Sequence, residues 1–364
     1  MLLYLHIPFC HRICPYCSFY KHTPGSTPVG AVVDALLAEA AARLKECERA
    51  PRTIYLGGGT PSMLSPGHLR RLFDGLRGMI DFSTLHEVAL EANPATFDAR
   101  KAALFVESGV TRVSLGIQSF ASHVLETLGR EHTPDEARAS VALLRAAGVS
   151  EINIDLMFSI PGQTPDDWRS TLEEALALTP EHISAYNLTY EEDTAFFESL
   201  RRGEMLPDED RDAEMFHLAR EMLEAAGFRH YETSNYARPG RESRHNLGYW
   251  QGEDYLGLGP SAVSTLGGVR HTNAADTVRY VEMIGSLGRA VVDSSALTAE
   301  QARIERIALG LRTASGIALD WLDPEGRSKA GQLAAEGIAV IESGRFILSG
   351  RGRALVDPVA AELI

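Results

Sequence analysis

The chain has 364 residues, enough for about two domains at roughly 150 residues each, and its 45% hydrophobic and 23% charged residues are ordinary for a globular protein. A formal net charge of −14 argues against broad electrostatic attraction to nucleic acid, and no apolar run approaches the ~18 residues of a membrane span. The start, Met1 to His6, lacks a basic leader, and no polybasic segment suggests an anchor, so a cytoplasmic location is expected.

The first predicted element is a strand over Leu2–His6, running into Tyr4-Leu-His-Ile-Pro-Phe-Cys-His-Arg-Ile-Cys-Pro-Tyr-Cys17. Cys10, Cys14 and Cys17 fall within eight residues, at intervals of four and then three positions. Three thiolates on one loop can hold a cubic iron–sulfur cluster and leave one iron without a protein ligand. The same triplet admits a disulfide with a spare thiol, or a zinc site. A disulfide fits poorly without an export signal. Structural zinc asks for a fourth ligand, from His6, His11 or further away, so the spacing favours the cluster. Cys47 falls in a predicted helix and reads as core filler.

Thr27-Pro28 opens a helix expected to run from Val29 to about Glu48. A strand over Thr53–Leu56 breaks at Gly57-Gly-Gly-Thr-Pro61, and a helix over Pro66–Ile80 follows. Strand Glu87–Ala92, helix Ala99–Ser108 and strand Arg112–Gln118 come next. Helices over Ser122–Leu128 and Pro134–Ala147 precede strand Glu151–Met157, helix Trp168–Leu178 and strand His182–Leu188. Six short strands alternating with helices predict an α/β fold with parallel strands, either an open doubly wound sheet or a partial, six-stranded (β/α) barrel. Both place their chemistry at the carboxyl ends of the strands. Gly57 to Thr60, Glu91 with Asn93-Pro94, Gln118 and Asp155 all sit there, which predicts one shared site.

The rhythm changes after about Thr194. A long helix is expected over Asp208–Ala226, then a strand over Phe228–Ala237, then a glycine-rich stretch from Gly240 to Gly268. Beyond Thr298, two helical segments precede the strands starting at Ile338 and Arg345, which Ser343-Gly344 joins as a hairpin. Helix, helix, hairpin suggests a winged-helix-like end to a smaller α+β C-terminal domain. The acidic balance favours a structural or substrate-covering role for it over DNA binding. The expected divisions are 1–195, 196–295 and 296–364.

The cysteine loop, Gly57-Gly-Gly-Thr-Pro-Ser62 and the strands ending in Glu91, Gln118 and Asp155 together resemble the radical S-adenosylmethionine superfamily. The resemblance covers nearly the whole chain. It is strongest to the branch that holds oxygen-independent coproporphyrinogen III dehydrogenase (HemN) and the heme chaperone HemW. It implies a partial (β/α)6 barrel and a 4Fe–4S cluster on Cys10, Cys14 and Cys17. The open iron would be chelated by S-adenosylmethionine, whose C–S bond is cleaved by an electron from the cluster. Carried over by position, Tyr4, Tyr16, Gly58, Gly59, Thr60, Glu91, Gln118, Arg130, Asp155 and Thr189 would bind S-adenosylmethionine. Glycines at a strand end let backbone approach a ligand closely, Arg130 can pair with a carboxylate, and Asp155 can accept from ribose hydroxyls.

His245-Asn-Leu-Gly-Tyr-Trp250 is similar to the His-Asn-x-x-Tyr-Trp heme-binding motif of the HemW family. A histidine beside aromatics is more often a satisfied core residue. In this context His245 is expected to ligate heme iron, with Tyr249 and Trp250 as pocket walls. Two departures separate the sequence from the dehydrogenase. Phe19 stands where that enzyme has a further cysteine, and nine residues precede Cys10 where the enzyme has a longer extension. The branch thus implies a heme chaperone that passes heme to acceptor hemoproteins, respiratory ones among them, with a flavodoxin or ferredoxin as electron donor and a homodimer as its assembly. The rival reading is radical decarboxylation of coproporphyrinogen III propionates.

Overall fold

The computed structural model describes residues 1–25 and 28–364. Thr27, expected to open the first helix, lies outside the described residues. The first half alternates as the sequence predicts: β1 Leu2–Ile7, α1 Val29–Arg43, β2 Thr53–Gly58, α2 Pro66–Arg77, β3 Glu87–Ala92, α3 Ala99–Glu107, β4 Arg112–Gln118, α4 Ser122–Thr127, α5 Pro134–Ala147, β5 Glu151–Phe158, α6 Pro165–Ala177 and β6 His182–Asn187. α1 is shorter than expected, because its last turn tightens into a 3-10 segment over Leu44–Glu46. α5 and α6 start where local chemistry says they should. Thr133 with Glu136 and Thr164 with Asp167 form capping boxes, each followed by proline in the first turn.

Strands β1 to β6 pair in parallel, each with the next. Their side chains are buried on both faces, as crossover helices require; in β4 every residue before Gln118 is buried. One hydrophobic core runs from Leu3 and Leu5 through Leu56, Leu90, Leu115 and Ile154 to Ile183, joined by the inward faces of the covering helices.

The chain continues with α7 Ala195–Arg201, α8 Glu209–Ala225, β7 Arg229–His230, β8 Asn235–Ala237, α9 Arg244–Trp250, β9 Tyr255–Leu258, β10 Val263–Leu266, β11 Val269–Asn273, α10 Thr277–Leu287 and β12 Val291–Ala296. The single strand expected over Phe228–Ala237 is instead two short strands of a hairpin. Thr233 and Ser234 turn the chain, with Asn235 N donating to Glu232 O at 3.3 Å. β8 pairs antiparallel with β6, whereas β9 pairs parallel with β1. Residues 196–295 therefore extend both edges of the first sheet, giving a mixed sheet of twelve strands among the described residues.

The last part holds α11 Ala299–Leu311, β13 Ile317–Ala318, α12 Pro324–Ala335, β14 Ala339–Glu342, β15 Arg345–Leu348 and α13 Val356–Leu363. The two predicted helices and hairpin are present. β13 completes a small antiparallel sheet in the order β13-β15-β14, and α13, which the sequence reading did not contain, packs on α11 and α12. This module has its own core of Ile307, Leu311, Ile317, Leu322, Phe346 and Leu363.

Candidate functional site

A cavity of about 600 Å³ opens where β2 to β6 end, and the cysteine loop forms one side of it. All four cysteines are free thiols. Cys10, Cys14 and Cys17 line the cavity, together with Tyr16, Gly58, Gly59, Thr60, Glu91, Gln118, Arg130, Asp155 and Thr189. The structure thus gathers residues from five strand ends and one loop into a single space.

The glycine run joins the loop to the sheet. Gly59 N donates to Ile7 O at 2.8 Å and Thr60 N to Phe9 O at 2.7 Å. A Cβ on Gly59 would stand 2.7 Å from the Phe9 carbonyl oxygen. One on Gly58, at φ +105°, would stand 2.5 Å from the His6 ring. These two glycines are required first by the approach of the protein's own backbone and His6, not only by a ligand. Across the loop, Cys10 N donates to His22 O at 3.0 Å, and His22 Nε2 meets Thr277 Oγ1 of α10 at 2.8 Å.

Two of the thiols accept hydrogen bonds. Thr60 Oγ1 donates to Cys10 Sγ at 3.6 Å, and Arg130 donates to Cys14 Sγ at 3.7 Å. Lys21 donates to the Cys17 carbonyl. Among the described residues no three His, Cys, Asp or Glu side chains converge as a bare-ion site would need. Three free thiols lining one cavity fit an iron–sulfur group by their chemistry.

Arg130 ties the cysteine loop to the strand ends. Its guanidinium donates to Asn93 Oδ1 and Gly116 O, both at 2.6 Å, while its buried Nε has no partner. Gln118 has φ +69° at the end of β4, beside an irregularity in the β4–β5 register. A non-glycine residue in that region costs about 1–2 kcal/mol, and here it turns the side chain into the cavity. Glu91 accepts from Tyr55 Oη at 2.7 Å and from Gly58 N at 3.1 Å. Burial pushes its carboxyl up to about 7, with Asp155 adding and the Tyr55 and Gly58 hydrogen bonds opposing. Asp155 accepts from Ser114 Oγ and Asn153 Nδ2, both at 2.7 Å, and burial raises its carboxyl as well. Burial likewise raises the Tyr16 phenol, against the attraction of Arg130.

Tyr4 does not line the cavity. Its hydroxyl meets His6 Nδ1 at 3.1 Å, and its ring stacks on Tyr55. It supports the wall from behind. Asn93, expected at the strand ends, lines the cavity; Tyr55, Ser114 and Tyr186 line it too and were not expected as contacts. Tyr55 was legible in principle, because it is the polar-tipped residue of β2 two positions before the glycine run.

The His245 motif forms α9, capped by Ser243 Oγ, which accepts from Asn246 N at 3.3 Å. The helix divides the motif. His245 is 1% exposed and faces the sheet. Its Nδ1 meets Thr53 Oγ1 at 2.8 Å, its ring stacks on Tyr55 at 5.0 Å and meets Tyr249 edge-on at 4.9 Å, and its Nε2 has no partner. Burial depresses the imidazole to about 3, with Arg52 adding, so it is neutral and its free nitrogen keeps a lone pair or a proton unused. Trp250 faces the other way, into a separate cavity beside the C-terminal module. The three residues are therefore not brought together in one pocket.

Residues 4–175 match the family model of the Radical SAM superfamily. The chain is 35% identical over 367 residues to the heme chaperone HemW of Bacillus subtilis (strain 168), covering 98% of this chain and 97% of that one. It is 38% identical over 371 residues to the heme chaperone HemW of Mycobacterium tuberculosis (strain ATCC 25618 / H37Rv), covering 100% and 94%. Among solved structures it resembles coproporphyrinogen III oxidase (HemN) from Escherichia coli, a radical SAM enzyme. The TM-score is 0.85 at 23% identity, over 100% of this chain and 89% of that one. At that identity the likeness shows a shared fold.

Proposed function

The chain belongs to the HemW family of the radical SAM superfamily, and on that premise we propose that it is a heme chaperone, binding heme and passing it to acceptor hemoproteins. Similarity to HemW along nearly the full length of both chains carries this reading. Cys10, Cys14 and Cys17 would hold a 4Fe–4S cluster, and the strand-end residues Gly58, Gly59, Thr60, Glu91, Gln118, Arg130, Asp155 and Thr189 would hold S-adenosylmethionine in the same cavity. Tyr16 would pack against the cofactor near the loop, and Tyr4 would act through Tyr55. When bound, the pair supplies one-electron reductive chemistry. The chain's own part is to hold the loop against Gly59 and Thr60, balance thiolate charge with Arg130, and keep Glu91 and Asp155 as hydrogen-bonding floor.

The finer reading treats β1 to β6 as a partial (β/α)6 barrel and α11 to β15 as a winged-helix-like module, with functional divisions at 195 and 295. For heme, His245 offers its unpartnered Nε2 as axial ligand, which requires α9 to open from the sheet. We place the protein in the cytoplasm, with a flavodoxin or ferredoxin as reductant, respiratory hemoproteins among the acceptors, a homodimer as its assembly and no nucleic-acid partner. No described helix is long and apolar enough to cross a membrane.

Iron and acid-labile sulfide analysis of anaerobically purified protein tests the cofactor part. Iron and sulfide in near-equal amounts are expected, with loss of both in Cys14→Ser. Zinc without sulfide would overturn it.

A further inference from the structure

A second cavity, of about 720 Å³, lies between α9 and the C-terminal module, away from the cysteine loop. That size suits a small-molecule or cofactor ligand. Leu247 and Trp250 of α9 form one wall, and Trp321 and Ile347 of the module form the other. Residues three apart on a helix share a face, so Leu247 and Trp250 look into this space while His245 and Tyr249 pack inward.

Two cations border the same space. Arg306 lies over the Trp321 ring, 3.7 Å from its centroid. Arg345 donates from Nε to Ser315 O and from a terminal nitrogen to Gly316 O, both at 2.7 Å. Neither is paired with a carboxylate among the described residues, although neighbouring arginines of the module are. Glu242 is the one acidic side chain on the cavity wall. In a chain with formal charge −14, an apolar cleft with two unpaired arginines is a local reversal of sign.

Indole walls take a flat conjugated ring, and guanidinium groups take carboxylates through charge-assisted, two-pronged hydrogen bonds. A tetrapyrrole with two propionates has both features. We propose that heme is seated in this cleft, its ring against Trp250 on one wall and the Arg306-covered Trp321 on the other, with its propionates toward Arg306 and Arg345. This rests on the heme-chaperone reading and gives that cargo a place outside the cluster cavity. Heme entering here meets the outer face of α9, one helix thickness from His245, so iron ligation by His245 would be a later step than docking.

The test is equilibrium titration of the full-length protein with ferric heme and, separately, with ferric heme dimethyl ester, followed by Soret absorbance. Among the described residues Arg306 makes no hydrogen bond to the module's backbone; Arg306→Ala removes its stacking on Trp321, and an unchanged thermal midpoint checks that the module stays folded. Wild type is expected to bind heme at least tenfold more tightly than the ester. Arg306→Ala should weaken heme binding about tenfold, the worth of one charge-assisted hydrogen bond, and leave ester binding unchanged. Arg306→Glu should weaken heme binding further. Equal affinity of wild type for heme and ester would overturn the proposal, and so would heme affinity indifferent to both substitutions. Failure of wild type to take up heme at all would sink the chaperone reading itself, a result distinct from either.

Discussion

Glu87 fixes the start of the helix that carries His245, and replacing it measures how firmly that helix is held. Its carboxylate is 3% exposed. One oxygen accepts from Arg112 Nε at 3.0 Å and from Arg244 N at 3.1 Å; the other accepts from His245 N at 3.0 Å and Ser243 Oγ at 3.4 Å. Arg112, equally buried, is also bonded to Glu151 and to the Arg241 carbonyl. Glu87→Ala would leave this guanidinium with one carboxylate instead of two, and two N–H groups at the start of α9 without acceptors. Breaking a buried ion pair costs about 3–5 kcal/mol, and each unsatisfied N–H about 1 kcal/mol or more. Because Glu151 keeps part of the charge balance, a total of about 4 kcal/mol is expected. Glu87→Gln, which keeps acceptor oxygen but not charge, should cost about half as much. Urea unfolding of wild type and both variants, at matched slope, gives these differences. A loss below about 1 kcal/mol for Glu87→Ala would refute the idea that this carboxylate holds α9 in place.

Gly58→Ala should be costly for its size, because φ +105° and a Cβ 2.5 Å from the His6 ring both oppose a side chain. His6 cannot simply turn away, since Tyr4 and the Tyr20 carbonyl hold its two nitrogens. A loss of about 2–4 kcal/mol and reduced iron content per chain are expected, and wild-type values for both would count against the tie between the glycine run and the cysteine loop. Glu91 gives a pH dependence. Its folded carboxyl titrates near 7, above its ordinary 4.5, so the folded state holds this proton more tightly than the unfolded one. Its contribution to stability is full below about 4.5 and is lost as pH rises through 7, by up to about 3 kcal/mol. The cavity admits water to the carboxyl, which reduces that figure. Glu91→Gln should flatten the decline in urea midpoint between pH 5 and 7.5; parallel profiles for the two proteins would contradict the burial argument.

Much of the parallel βα half was legible because its signals are local. β4 and α5 fall on the residues their periodicity and caps indicate, and Glu91, Gln118 and Asp155 meet in one cavity because parallel strands end on the same side. What was not legible depends on long-range partners. That Gly58 and Gly59 are demanded by His6 and the Phe9 carbonyl is invisible until β1 and β2 pair. The motif at His245 reads as one unit in the sequence, yet a helix of seven residues sends His245 and Trp250 to different sides. Glu87 looks like an ordinary first residue of a strand, and only the arrival of α9, 156 positions later at Ser243, gives it a role. The Phe228–Ala237 segment was expected as one strand, but Thr233 and Ser234 impose a turn between β7 and β8, so two short strands stand where one was expected.

Heme delivery is the activity that separates the proposed chaperone from the dehydrogenase whose fold it shares. The most direct measurement incubates cluster-loaded, heme-loaded protein anaerobically with an apo-hemoprotein, beside a parallel reaction holding coproporphyrinogen III, S-adenosylmethionine and a reductant. The expected result is the acceptor's own heme spectrum in the first vessel and unchanged coproporphyrinogen in the second. Protoporphyrinogen formed over many turnovers, with no heme reaching the acceptor, would contradict it.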